Sequence, residues 1–189
     1  RFVRCDAVAF LDVNADDDPV LVGAYGRLVG RSLGDLDAAP ADPRPKHYRR
    51  HVIDIAIEAA GPAVAEAWDR NRPRIKAVAV DDDLLPYEAV SFPAFSTEEL
   101  LAESWQGSTL RREVESLLLL PIRGPRGLGD AHLGVLLEPV AWTPSPGDLD
   151  AMRQEWELFR DEIRLAGSYR STAADTSRIH VRPHAADSA

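Results

Sequence analysis

From Leu117 to Ile122 the chain runs LLLLPI, six residues without one polar side chain. A strand that meets water on one side alternates apolar and polar residues, whereas a run apolar at every position fits a strand buried on both faces. Such a strand cannot sit at an exposed edge. It needs other strands beside it and further elements packed above and below, so the rest of the chain has to supply them.

Helical segments are the clearest of these. TPSPGDLDAMRQEWELFRDEIRLAG carries Ser145 as N-cap, Pro146 at the first helical position, Asp148 to complete a capping box and Gly167 as a stop. Its residues Leu149, Met152, Trp156, Phe159, Ile163 and Ala166 recur at spacings of three and four, which makes one buried stripe rather than a cofactor pocket. KHYRRHVIDIAIEAAG is a second helix, with Tyr48, Val52, Ile55 and Ala59 on its apolar face and Gly61 at its end. STEELLAESW opens with Ser96 three residues before Glu99, a reciprocal cap, and STLRREVES is a further short helix. VLVGAYGRLVGRSLGDL, after the apolar segment AVAFLDV and the acidic turn NADDDP, reads as a helix pair. The prolines of AAPADPRP make that stretch a loop.

IKAVAV and YEAVSF, joined by the turn DDDLLP, predict a hairpin. AHLGVLLEPVAW and RIHVRP complete the strands. Strands interleaved with helices, some of them antiparallel, predict an α/β or α+β domain around a mixed sheet. At 189 residues, 45% hydrophobic, the chain suits one domain, residues 1–189, with a real core.

No apolar run reaches the roughly 20 residues of a membrane helix, and RFVRCDAVAF lacks a secretory apolar region. Cys5 is the single cysteine, which excludes an internal disulfide framework; together these predict a cytoplasmic protein without membrane contact. The chain begins at Arg1 rather than Met, so the native start is expected upstream. A net charge of −9 disfavours nucleic-acid binding overall, because affinity for DNA comes largely from Lys and Arg on phosphates. The basic residues are nevertheless grouped, in RPKHYRRH, RNRPRIK, IRGPR and RIHVRPH.

Motifs with chemistry are few. GPRGLGD follows a strand but has no Gly-Lys-Ser/Thr ending, so it reads as a plain loop. His47, His51 and Asp54 lie at i, i+4 and i+7 of one helix without a His-Glu-x-x-His pattern, and no Gly-x-Ser-x-Gly elbow occurs. DRNRPRIKAVAVDDD, Asp69 to Asp83, reads as a strand in which Arg74 and Lys76 share a face, with Asp69 just before it. A Mg²⁺ nuclease needs at least two carboxylate oxygens on the ion and a cation near the attacking water. Asp69 and Lys76 suit two of those roles, and Arg74 suits no carboxylate role.

From Gly26 onward the order of segments resembles the MutH mismatch-repair endonuclease family and the related GATC-cutting type II restriction enzymes. VAWTPSPGDLDAMRQEWELFRDEI resembles the family's Trp-Ser-Pro and following acidic helix, and IHVRPHAAD its strand ending in Arg-Pro-Lys-Ala-Ala-Asn. GRSLGDL, HVIDIAIEAA and WQGSTLRREVESLLLLPI resemble three further family segments. RIKAVAV takes the place of Glu-Leu-Lys-Thr-x-Pro-Val. The resemblance covers roughly five-sixths of the chain in consistent order.

It implies a restriction-endonuclease-like PD-(D/E)xK core with a mixed sheet flanked by helices. A helical lobe at about residues 18–66 and a sheet-containing lobe at about 67–189 would clamp double-stranded DNA and cut with Mg²⁺. By the same resemblance Asp54, Asp69 and Lys76 are the catalytic positions, with Asp69 and Asp54 on the metal. Arg111, Arg182 and His184 are DNA contacts, and a repair or restriction protein is the implied partner. Arg74 stands where the family has its metal-binding glutamate, Glu113 where it has a lysine, and His184 where it has another lysine. The family's final aromatic and basic segment lies beyond Ala189, so part of its DNA-contact surface is expected to be absent.

Exchanging a carboxylate for a guanidinium turns an attraction for the ion into a repulsion, each about 4 kcal/mol at contact with an effective dielectric of ~20. Glu58 and Glu66 are the conceivable replacement acids. The expected function is therefore a DNA-associated domain with a degenerate catalytic site, without Mg²⁺. Two alternatives are an active Mg²⁺-dependent endonuclease whose acidic ligand has migrated and a non-enzymatic protein-interaction module.

Overall fold

A computed structural model describes residues 19–38, 47–87, 90, 92 and 96–167. In chain order the elements are helices α1 (Pro19–Gly26), α2 (Leu33–Leu36), α3 (Tyr48–Glu58) and α4 (Pro62–Asn71) and strand β1 (Ile75–Val80). Helices α5 (Thr97–Ala102) and α6 (Thr109–Val114), strands β2 (Leu117–Arg123), β3 (Val135–Leu136) and β4 (Val140–Trp142), and helix α7 (Pro146–Ala166) follow. The chain forms two compact units: one takes in the described residues of 10–91 and 117–142, the other those of 92–116 and 143–167.

In the first unit β2 is the central strand, as its composition requires. It runs parallel to β1, with Ile75 opposite Leu118 and Ala79 opposite Ile122, and antiparallel to β3 at one end and to β4 at the other. The fold is a mixed α/β arrangement with a four-stranded mixed sheet and flanking helices. Alternation puts Leu118, Leu120 and Ile122 of β2 on the same face as Ile75 of β1. That face carries the core, packed with Leu21, Ala24 and Tyr25 of α1, Tyr48, Val52, Ile53 and Ile57 of α3, and Val64, Ala67 and Trp68 of α4.

Several segments differ from their predicted form. AHLGVLLEPVAW is not one strand: Ala131–Leu133 is a 3₁₀ turn, and β3 and β4 are separated by Leu137, Glu138 and Pro139. Pro139 has no amide hydrogen to give to a ladder. In α3 the buried face is Tyr48, Val52, Ile53 and Ile57, while Ile55 is 41% exposed. Residues 62–71, assigned no helix from sequence, form α4. α3 ends at Glu58 with Ala59 as its C-cap, before the expected stop at Gly61, which instead caps α4 from a φ of 118°, with Pro62 in the first turn.

The predicted hairpin is present at its turn. Asp81 N–H donates to Leu85 O at 3.0 Å, Asp81 Oδ1 accepts from the amides of Asp83 and Leu85, and Tyr87 N–H donates to Ala79 O. Most of the predicted partner strand beyond Tyr87, the segment AVAFLDV and the closing strand RIHVRP lie outside the described residues.

Around Gly134 two backbones approach closely. A methyl group there would lie 2.7 Å from Ile122 Cγ2 and 3.1 Å from Ala131 O. Gly134→Ala is expected to cost about 1–3 kcal/mol through overpacking, read as a lower urea midpoint with unchanged slope. An unaltered midpoint would show that the β2–β3 junction is looser than this spacing indicates.

The second unit is built on α7. Ser145 caps it, accepting from Asp148 N–H, and Gly167 closes it at φ 69°. The capping box is only partial, because the Asp148 carboxylate accepts from the Ser145 hydroxyl at 2.7 Å. Met152, Trp156, Phe159 and Ile163 are buried, with Trp105 tilted against Trp156 at 5.8 Å. The Arg160 guanidinium lies 4.4 Å over Trp156 and donates to Leu101 O. Among the described residues no helix is long and apolar enough to cross a membrane.

Candidate functional site

α3, α4 and the start of β1 meet around one carboxylate. Asp54 lies one turn after Arg50 on α3, the spacing at which helical side chains touch. Arg50 Nε donates to Asp54 Oδ1 at 2.7 Å, and its Nη1 donates to the carbonyl of Ile75 on β1 at 2.8 Å. From α4 the indole N–H of Trp68, itself fully buried, donates to the same Asp54 oxygen at 2.7 Å. The Arg50 guanidinium also lies 4.8 Å from the Trp68 ring centroid, within cation–π range. One arginine therefore joins α3, α4 and β1.

Asp69 is on the last turn of α4, not on a lead-in to a strand. Its carboxylate is 70% exposed and pairs with Arg72 Nε at 3.3 Å. Arg72 Nη2 is also 3.9 Å from Asp54 Oδ2, so one guanidinium approaches both predicted metal ligands. Arg74 ends a 3₁₀ turn, Arg72–Arg74, and the strand starts one residue later. The predicted shared face of Arg74 and Lys76 thus loses its basis, since strand alternation does not extend to residue 74. Arg74 Nη1 reaches Asn71 Oδ1 at 3.5 Å, and Asn71 is held in turn on Ala67 O. Lys76 is on β1, in register with Leu119 and on the face opposite to Ile75.

Magnesium needs near-octahedral oxygen ligands, normally one or two carboxylates with water and phosphate oxygens. The donor set does not fit that demand. Asp54 is only 18% exposed, and one of its oxygens already accepts two short, charge-assisted hydrogen bonds. Its other oxygen faces Arg72. Glu66 is turned to Arg70 at 3.6 Å, and Glu58 is exposed at the end of α3. Among the described residues no three His, Cys, Asp or Glu side chains gather as a metal group.

The remaining predicted positions divide as follows. His47 and His51 face each other edge to face at 5.9 Å at the start of α3. Arg111 and Glu113 are on α6, in the other unit. Arg111 Nη1 is 3.2 Å from Glu115 Oε1, a charge contact without hydrogen-bond alignment. Arg182 and His184 lie outside the described residues. In the loop GPRGLGD the carbonyls of Pro125, Arg126 and Gly127 converge on the Arg49 guanidinium at 3.0–3.5 Å. A phosphate cradle presents N–H groups instead, so this loop is no such cradle.

Arg50, Arg72 and Trp68 are the site residues that sequence reasoning passed over. Arg50 had a signal in its i, i+4 spacing to Asp54 and Arg72 in its i, i+3 spacing to Asp69. Trp68 had only its place in a helix that was not recognised.

No protein-family model matches the chain. It is similar to the DNA mismatch repair protein MutH of Shewanella baltica strain OS155, 24% identical over 179 residues that make up 90% of this chain and 79% of that protein. The MutH of Citrobacter koseri is 26% identical over 179 residues, covering 90% and 76%. That of Salmonella paratyphi C is 26% identical over 180 residues, covering 90% and 77%. The similarity thus extends along most of the chain, at a level that leaves ample room for change at single positions.

Proposed function

We propose that this chain is a MutH-like, nuclease-fold domain that associates with double-stranded DNA, in a repair or restriction setting, and no longer carries out Mg²⁺-dependent cleavage. The observation that carries the reading is the commitment of Asp54 to Arg50, Trp68 and Arg72. A metal ion arriving there would meet two guanidinium groups at the carboxylate it needs. Arg74, in the place of the expected glutamate, adds a third positive charge nearby in sequence. A PD-(D/E)xK ancestry, a cytoplasmic setting and DNA contact through Arg111, Arg182 and His184 belong to this reading. The similarity to DNA mismatch repair proteins supports it.

A second reading has one specific observation in its favour. Asp54 and Asp69 both approach Arg72, so a rotation of that half-exposed side chain would leave two carboxylates facing one gap. This is the pair of carboxylates an active endonuclease with a migrated ligand would use, and that reading keeps Lys76 as its catalytic lysine.

Incubation with supercoiled plasmid in Mg²⁺ or Mn²⁺ separates the two. We expect no nicking above background. Cleavage that Lys76→Ala abolishes would establish the endonuclease reading instead. The inert protein is expected to bind duplex DNA at low ionic strength and to release it as salt rises. Absence of any salt-sensitive binding would replace the DNA-associated reading with a protein-interaction module.

A further inference from the structure

The mismatch between this site and a divalent ion has a positive counterpart. We infer that the Arg72 guanidinium is a built-in cation of the site, balancing Asp54 and Asp69 where a metal ion would otherwise be needed. Arg72 Nη2 lies 3.9 Å from Asp54 Oδ2 and Arg72 Nε lies 3.3 Å from Asp69 Oδ1, so one group faces both carboxylates. Asp54 belongs to α3 and Asp69 to α4, so the contact spans two helices, as a bridging ion would.

Arg50 completes the balance. It holds the other oxygen of Asp54, and with Arg72 it brings two positive charges to two negative ones. A divalent ion therefore gains no net attraction on approach. Arg is suited to the role because its charge is permanent and its planar group presents several donors to carboxylates. The inference concerns the same residues as the proposed loss of cleavage, yet it stands on the Arg72 contacts and predicts a behaviour that loss of cleavage alone does not.

That behaviour is rescue. Thermal unfolding of the full chain is followed by circular dichroism in EDTA and in millimolar Mn²⁺ or Mg²⁺ at matched ionic strength. The parent protein is expected to show the same midpoint in all three. Arg72→Ala is expected to melt lower in EDTA and to regain part of the loss, a shift of a few degrees, in Mn²⁺. The regained part should disappear when Asp69→Asn is added.

A saturable Mn²⁺ shift in the parent protein, removed by Asp69→Asn, overturns the inference, because the site would then still take a metal. A folded Arg72→Ala protein that ignores divalent ions overturns it as well. Should Arg72→Ala fail to fold, Arg72→Gln, which keeps polarity and bulk without charge, is read in the same way, and Mn²⁺ titration of the parent by electron paramagnetic resonance decides independently. Plasmid nicking by the parent would defeat the proposed function. Failed rescue in a protein that does not nick would defeat only the built-in cation.

Discussion

Trp68→Ala is expected to destabilise the first unit by about 3–5 kcal/mol, the range for removing a large buried aromatic side chain. Trp68 is fully buried in the core formed by α1, α3, α4 and the sheet, so truncation leaves a cavity that its neighbours only partly fill. The loss has a polar component too, because the indole N–H is one of two donors on Asp54 Oδ1. Trp68→Phe isolates that component. It retains most of the apolar volume, removes the donor, and is expected to cost about 1–2 kcal/mol. Urea unfolding followed by far-ultraviolet circular dichroism measures both. A loss below about 1 kcal/mol for Trp68→Ala would mean that the core around this tryptophan is looser than its burial indicates.

Arg50→Ala is expected to cost about 2–4 kcal/mol, a large value for a charged side chain. Most surface ion pairs contribute less than about 1 kcal/mol, because water screens them and both side chains lose freedom. Arg50 and Asp54 differ, since their side chains are 23% and 18% exposed and the arginine has a second acceptor in the Ile75 carbonyl. Removing it leaves Asp54 short of a charged partner and the Ile75 carbonyl without this donor. Arg50→Lys is expected to recover little, because an ammonium group lacks the planar fork that reaches both acceptors and stacks on Trp68. A double-mutant cycle with Asp54→Ala should return a coupling of about 1–3 kcal/mol. Coupling near zero would reduce the pair to an ordinary surface contact.

How far the sequence can be read depends on whether a signal is local. The long helix α7 carries its own start and stop in Ser145, Pro146 and Gly167, and its apolar stripe needs no partner to be recognised: Met152, Trp156, Phe159 and Ile163 are buried, while Leu149 is half-buried and Ala166 exposed. LLLLPI likewise declares its central place by composition, although Leu118, Leu120 and Ile122 on one face are buried while Leu119 and Pro121 on the other are half-buried. The helix α4 has signals too, Pro62 at its start and Val64, Ala67 and Trp68 at helical spacing, but reading Gly61 as the end of α3 hid its role as the cap of α4. In α3 apolar residues occupy more than one side, so periodicity admitted two faces. The choice of Ile53 and Ile57 over Ile55 is made by packing in the assembled core.

The site divides in the same way. The pairs Arg50–Asp54 and Arg72–Asp69 fall within one helical turn and can be read from spacing. The contacts that turn them into a site do not. Trp68 to Asp54, Arg72 to Asp54 and Arg50 to Ile75 each join residues 14, 18 or 25 positions apart, respectively, and exist only once α3, α4 and β1 have docked. The strand start is a third case: Arg74 looks like strand by charge alternation, yet the chain needs a 3₁₀ turn to pass from α4 into β1.

Under the proposed loss of cleavage, the three-way grip of Arg50 also bears on whether a metal site could arise here. Placing a carboxylate at position 74 takes one substitution, but the new acid would arrive on a turn, with Asp54 already held by Arg50, Trp68 and Arg72. Freeing Asp54 means loosening Arg50, and every loosening also weakens the joint between α3, α4 and β1 on which folding depends. Each single step towards a metal site is therefore opposed by stability or gives no binding, and the steps help only in combination. On the proposed reading, epistasis of this kind would act as a ratchet: a charge network standing in for a metal site would be part of the scaffold and so be protected from reversal.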